Sequence, residues 1–227
     1  MRYVFFDTET TGLSYATGDR VFEIGCVEVI DRKKTGKTFN SLLNPEKPLS
    51  EASKEICKMT DAELVDKPLF ADVVERFLKF LNSDKDTVLV AHNAKFDIGF
   101  LNNELAMVGA ENLDKFTIID TLQIARVKFP GSPASLNALS KKFEIGLAGR
   151  EEKGHGALLD SDILADVFIK MCADDDDNFI VTSNKEEILF FDIIKRESVL
   201  QARDFEIEQI DFLAHQKILE QIKIELW

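Results

Sequence analysis

Tyr3-Val4-Phe5-Phe6-Asp7-Thr8-Glu9-Thr10-Thr11-Gly12 stands at the head of the chain, and its reading governs the rest. An apolar run of strand-like composition ends in two acids spaced i, i+2. Residues two apart on a strand point to the same face. Asp7 and Glu9 are therefore expected to project two carboxylates together from the end of a buried strand. Burying like charges side by side is costly unless a cation compensates. A hard divalent metal, bound through oxygen, is the natural compensation. Taken alone, the pair fits a solvated strand edge equally well, because acids two apart are common.

Two later stretches tip that balance. Val88-Leu-Val-Ala-His92-Asn-Ala-Lys-Phe96-Asp97 reads as another apolar strand running into a helix, with apolar positions at Ile98, Leu101, Leu105 and Val108. Gly154-His155-Gly156-Ala-Leu-Leu-Asp160 opens a further amphipathic segment, whose apolar side carries Ile163, Leu164, Val167, Phe168 and Met171. Four acids, each beside an apolar element, and one histidine between glycines make a constellation.

Asp7-x-Glu9, Asp97 and His155-x4-Asp160, in this order and context, resemble the motifs of the DEDD exonuclease superfamily in its His-containing branch. Within it the wording is most similar to the proofreading epsilon subunits of bacterial DNA polymerase III, and the likeness covers residues 2–172 almost without interruption. The resemblance implies an α/β fold: a ribonuclease H-like mixed five-stranded sheet flanked by helices, with a helical C-terminal tail. It implies 3'→5' hydrolysis of terminal phosphodiester bonds with release of nucleoside 5'-monophosphates. Two divalent cations, Mg²⁺ or Mn²⁺, would be held by Asp7, Glu9, Asp97 and Asp160, and His155 would be the general base. Histidine suits that task because its ordinary pKa lies near neutrality. The flanking Gly154 and Gly156 are expected to make its loop mobile. The 3'-terminal nucleotide of a single strand or frayed primer would meet Asp7, Glu9 and Asp160, the main chain at Thr10 and Thr11, and Cys57, His92 and Phe96. Phe96 serves equally well as a core residue. Epsilon relatives usually carry His-Gly-Ile where this chain reads Cys57-Lys58-Met59, which leaves Lys58 to substitute by pairing with phosphate. No Gln-led, Phe-ended clamp-binding peptide follows residue 172.

Composition sets the frame. A chain of 227 residues with 18 Phe accommodates one packed domain and an appendage. The predicted division is an exonuclease domain over 1–172, an acidic linker over 173–184 and a helical, polymerase-binding tail over 185–227. The tail carries an apolar stripe at Ile207, Ile210, Ala214, Ile218 and Ile222, and its Glu208–Leu219 stretch and final Leu226-Trp227 resemble the ends of epsilon subunits. Cys26, Cys57 and Cys172 show neither ligand spacing nor a disulfide framework. No signal peptide or membrane-length run is visible, so a cytoplasmic protein with a monomeric catalytic domain is expected. The net charge is −13, of which residues 173–227, with 14 acids against 6 bases, contribute −8. An acidic chain binds DNA weakly alone, and a partner polymerase would supply the missing affinity.

Expected strands cover 2–6, 21–30, 37–43, 87–91 and 116–120, with 31–36 as a charged hairpin connection. Expected helices cover 51–57, 69–82, 94–109, 121–128, 135–143 and 155–172, with Asp120 capping the helix at 121 rather than serving as a fifth metal carboxylate. Residues 185–200 are also expected to be helical. Two other functions compete: a stand-alone 3'-end trimmer of RNA or single-stranded DNA, which needs no tail, and an inactive fold kept to stabilise a polymerase, which predicts a lost ligand.

Overall fold

The computed structural model describes residues 1–82, 86–147, 150 and 154–173, with the backbone at 183–184 and 187–188. The chain divides into two units, Met1–Leu189 and Phe190–Trp227. The second unit, and with it the expected apolar stripe, lies outside the described residues.

Strand β1 (Arg2–Thr10) is the middle of a five-stranded sheet of order β3-β2-β1-β4-β5. β2 (Val21–Ile30) and β3 (Lys33–Leu42) pair antiparallel, and β2 pairs antiparallel with β1. On the other side β4 (Thr87–Ala91) runs parallel to β1, and β5 (Thr117–Asp120) parallel to β4. The helices are α1 (Glu51–Cys57), α2 (Asp61–Leu64), α3 (Phe70–Leu81), α4 (Ala94–Met107), α5 (Thr121–Lys128), α6 (Leu136–Lys142) and α7 (Ala157–Met171). This is the mixed five-stranded sheet flanked by helices that the sequence predicts. Among the described residues no helix is long and apolar enough to cross a membrane.

Local chemistry accounts for most boundaries. Ser50 caps α1 by accepting from the Ser53 amide at 3.1 Å, and Asp120 caps α5 by accepting from the Leu122 amide at 2.9 Å. α3 turns Phe70, Val73, Phe77 and Leu81 inward, and the Leu69 amide donates to Asp72 Oδ2 at 2.9 Å to start it. β2 is buried along almost its whole length, which explains its incomplete alternation. Arg2, at the far end of β1, is buried against Glu28 at 2.7 Å and also donates to the carbonyl oxygens of Phe80 and Leu81.

The structure departs from expectation at three places. β3 starts at Lys33, because Asp31 and Arg32 take left-handed φ values of 50° and 62° and close a two-residue hairpin. α2 is a short helix the periodicity did not reveal; the Thr60 amide donating to Glu63 Oε2 at 2.8 Å sets its first turn. Within the expected helix at 185–200, Glu187–Ile188 instead pairs antiparallel with Ser183–Asn184. Ser and Asn compete for backbone hydrogen bonds and are poor helix formers.

Candidate active site

Three segments far apart in sequence meet at the carboxyl end of β1. That strand continues beyond Phe5, the last residue paired with β4, and so carries Asp7 and Glu9 into the crevice where parallel sheets bind ligands. β4 leads through His92 and a left-handed Asn93 (φ 70°) into α4, whose first turn holds Asp97. α7 packs on β1 and β2 and brings Asp160 in its first turn, with His155 just ahead of it. Gly25 permits that packing: a Cβ there would sit 2.1 Å from the Leu158 amide nitrogen and 2.2 Å from the Ala157 carbonyl carbon. Glu23, directly across from Glu9, accepts from the Ala157 amide at 3.1 Å and anchors the start of α7.

The histidine loop is held, contrary to the mobility expected of its glycines. Gly154 adopts φ +84°, and a Cβ would lie 2.8 Å from the Ile56 carbonyl oxygen. The His155 amide donates to that same oxygen at 3.0 Å. These glycines serve close approach to α1.

Asp97 and Asp160 are buried, while Asp7 and Glu9 are half-buried. Burial, then the neighbouring Asp97, Glu9 and Asp160, push the Asp7 carboxyl well above the usual range. Burial also raises Glu9 to about 7, against the lowering hydrogen bond from Cys57. Asp97 is likewise raised to about 7 by burial, although Thr8 donates to its Oδ1 from the amide at 3.0 Å and the hydroxyl at 2.7 Å. Carboxyls so placed ionise together only when a multivalent cation offsets the cost. Glu9, His155 and Asp160 offer ligand atoms within 4.8 Å of one another. Oxygen donors with one imidazole fit a hard divalent ion.

Sequence reading missed several neighbours of this cluster. Arg150 pairs with both carboxylate oxygens of Asp160, hydrogen-bonds Asn137, and lies 3.1 Å from His155 Nδ1. The Cys57 thiol donates to Glu9 Oε2 at 3.1 Å. Burial, then the adjacent Glu9, push that thiol's pKa upward. Thr8 and Glu23 have no motif of their own. Only the alternation along β1 and the pairing with β2 point to them.

The expected nucleotide contacts fall into two groups. Cys57, Asp7, Glu9 and Asp160 lie in the cluster itself. Thr10 and Thr11 lie beside it, engaged locally: Thr10 Oγ1 donates to the Gly12 carbonyl at 2.7 Å, and Thr11 Oγ1 accepts from the Arg20 amide at 3.0 Å. His92 Nδ1 lies 2.9 Å from Thr121 Oγ1, and burial lowers the pKa of its ring. Phe96 is half-buried, its ring centroid 4.8 Å from that of Phe100. Asp120 accepts from the Asn93 and Leu122 amides, as a cap does.

Acids gathered at the end of a mixed sheet, with a histidine before the last helix, define an enzyme of the exonuclease class. The family model described as Exonuclease (RNase_T) matches residues 4–168. DNA polymerase III subunit epsilon of Rickettsia typhi is 35% identical over 235 residues, covering 99% of this chain and 98% of that protein. The subunit of the same name from Salmonella typhimurium is 40% identical over 177 residues, covering 75% and 71%. The chain belongs to the exonuclease family and, within it, to the DNA polymerase III epsilon subunits; it is a 3'–5' exonuclease. Among solved structures, exonuclease X in complex with 5' overhanging duplex DNA matches with a TM-score of 0.58 at 29% identity, covering 76% of this chain and 90% of that one. E. coli exonuclease I in complex with a dT13 oligonucleotide matches with a TM-score of 0.65 at 17% identity, covering 75% of this chain and 41% of that one, a likeness of fold alone.

Proposed function

We propose that this chain is the proofreading subunit of a replicative DNA polymerase, hydrolysing 3'-terminal phosphodiester bonds and releasing nucleoside 5'-monophosphates. The observation that carries the reading is the convergence of Asp7, Glu9, Asp97, Asp160 and His155 on one spot. Asp7, Glu9, Asp97 and Asp160 would hold two Mg²⁺ or Mn²⁺ ions, with Asp7 best placed between them. Bound there, the ions would lower the pKa of water, orient the scissile phosphate and offset charge on the leaving oxygen. His155 would take the proton of the attacking water. Thr8 would keep Asp97 aimed at the cluster, and the Cys57 thiol would hold Glu9 in place of the histidine usual in the family. Thr10, Thr11, His92 and Phe96 would border the terminal nucleotide.

The similarity to the Rickettsia typhi subunit runs over 99% of the chain and so includes the tail. That supports a polymerase-binding segment over 185–227, joined by an acidic linker over 173–184 to a monomeric domain over 1–172, in a cytoplasmic complex on DNA. It also weighs against a stand-alone trimmer. The test uses the purified full chain with a 5'-labelled single-stranded oligonucleotide in Mg²⁺ or Mn²⁺. A ladder of shortened products with nucleoside 5'-monophosphates, abolished by EDTA, is expected. No ladder in either metal, or one that survives EDTA, refutes the reading.

A further inference from the structure

Next to the acid cluster, on the side of α6, lies a groove of about 570 Å³ lined by Asn137, Lys141, Ile145, Leu147, Arg150 and His155. Its walls differ from the cluster in kind: two cations, an amide and two aliphatic side chains face a space beside an acidic crevice. Lys141 is exposed in the last turn of α6, and among the described residues no ion pair engages its ammonium group. His155 joins the two spaces. Its amide is tied to Ile56 at the end of α1, while its ring also lines the groove.

We propose that this groove seats the strand on the 5' side of the scissile bond. Its ligand is the single-stranded nucleic acid backbone upstream of the terminal nucleotide, with Lys141 and Arg150 as phosphate partners and Ile145 and Leu147 beneath a sugar or base. The proposal rests on the exonuclease reading and adds to it a path for the strand. A polyanion leaving the site cannot run over Asp7, Glu9 and Glu23, whose charges repel it. The local balance on the α6 side is the reverse: residues 121–147 carry four bases (Arg126, Lys128, Lys141, Lys142) and one acid (Glu144), in a chain of net charge −13. Cationic grooves that track the backbone with apolar platforms are the general solution for single strands.

The experiment compares two substrates with the full chain. One is a 12-nucleotide single strand. The other is the p-nitrophenyl ester of thymidine 5'-monophosphate, which has a terminal nucleotide and a leaving group but no upstream phosphate. Lys141→Ala should lower the ratio of kcat/KM on the strand to kcat/KM on the ester roughly 3–10-fold, and Lys141→Glu should lower it further. Anisotropy of a fluorescein-labelled dT8 in EDTA should show the slope of log K against log salt becoming shallower by about 0.7 in Lys141→Ala, the share of one phosphate on a single strand. If the unaltered protein cleaves both substrates and neither ratio nor slope changes in the variants, the groove assignment is overturned and the exonuclease reading stands. If it cleaves neither, that reading falls and the groove assignment falls with it.

Discussion

Asp97→Asn separates stability from function. In the absence of divalent metal the buried Asp97 carboxyl is raised from 3.8 to about 7. The folded state therefore holds its proton more tightly than the unfolded chain does. Folding stability must fall as pH rises from about 4 to about 7, and the full penalty applies above that. A gap of about three units corresponds to ~4 kcal/mol at 1.36 kcal/mol per unit, and coupling to Asp7 and Glu9 spreads part of it over neighbours. Asparagine keeps an oxygen to accept from the Thr8 amide and hydroxyl, so the substitution removes charge with little loss of hydrogen bonding. Asp97→Asn should be about 2–4 kcal/mol more stable than the unaltered protein at pH 8 in EDTA, or roughly 5–15 °C in Tm, with no difference near pH 4. Urea melts at both pH values in EDTA, repeated with Mg²⁺, measure this. Mg²⁺ should stabilise the unaltered protein and have much less effect on the variant, which should be inactive. A variant less stable than the unaltered chain at pH 8 in EDTA would refute the electrostatic account of the cluster.

Three further outcomes are expected. His155→Ala should reduce turnover by roughly 10²–10⁴ while calorimetry shows metal binding nearly unchanged, whereas Asp7→Ala should lose both; equal metal loss in the two would reverse their roles. Truncation after residue 172 should leave hydrolysis of free oligonucleotides nearly intact and abolish association with a polymerase subunit; loss of activity on free DNA would place the tail in the core. Gly25→Ala should destabilise the domain by about 1–3 kcal/mol and depress activity, because its Cβ meets the backbone of α7; unchanged melting would mean α7 yields freely.

Much of this architecture was legible in the chain because the informative groups lie next to one another. The run from Tyr3 to Gly12 announced a buried strand with two acids, and the segments ending at Asp97 and Asp160 announced two helix starts. What stayed hidden involves partners far apart in sequence. Arg150 with Asp160 is separated from β1 by most of the domain, the Cys57 thiol reaches Glu9 across 48 positions, and Thr8 meets Asp97 across 89. Glycine reads as mobility in a sequence, yet Gly154 and Gly25 proved to be points of close approach. That difference depends on which atoms arrive from elsewhere. The start of β3 was misjudged because Asp31 and Arg32 adopt left-handed conformations that their side chains do not advertise.

The docking of α7 on β1 joins the first strand of the domain to its last helix. During synthesis Asp7 leaves the ribosome long before Asp160. At ~5–20 residues per second the interval is roughly 10–30 s. Throughout it the nascent chain holds two of the four acids on β1 and one on α4, with neither the fourth acid nor His155 beside them. A nuclease assembled in this order cannot attack nucleic acid while incomplete, and a chain broken off before α7 is harmless to the genome it would otherwise edit.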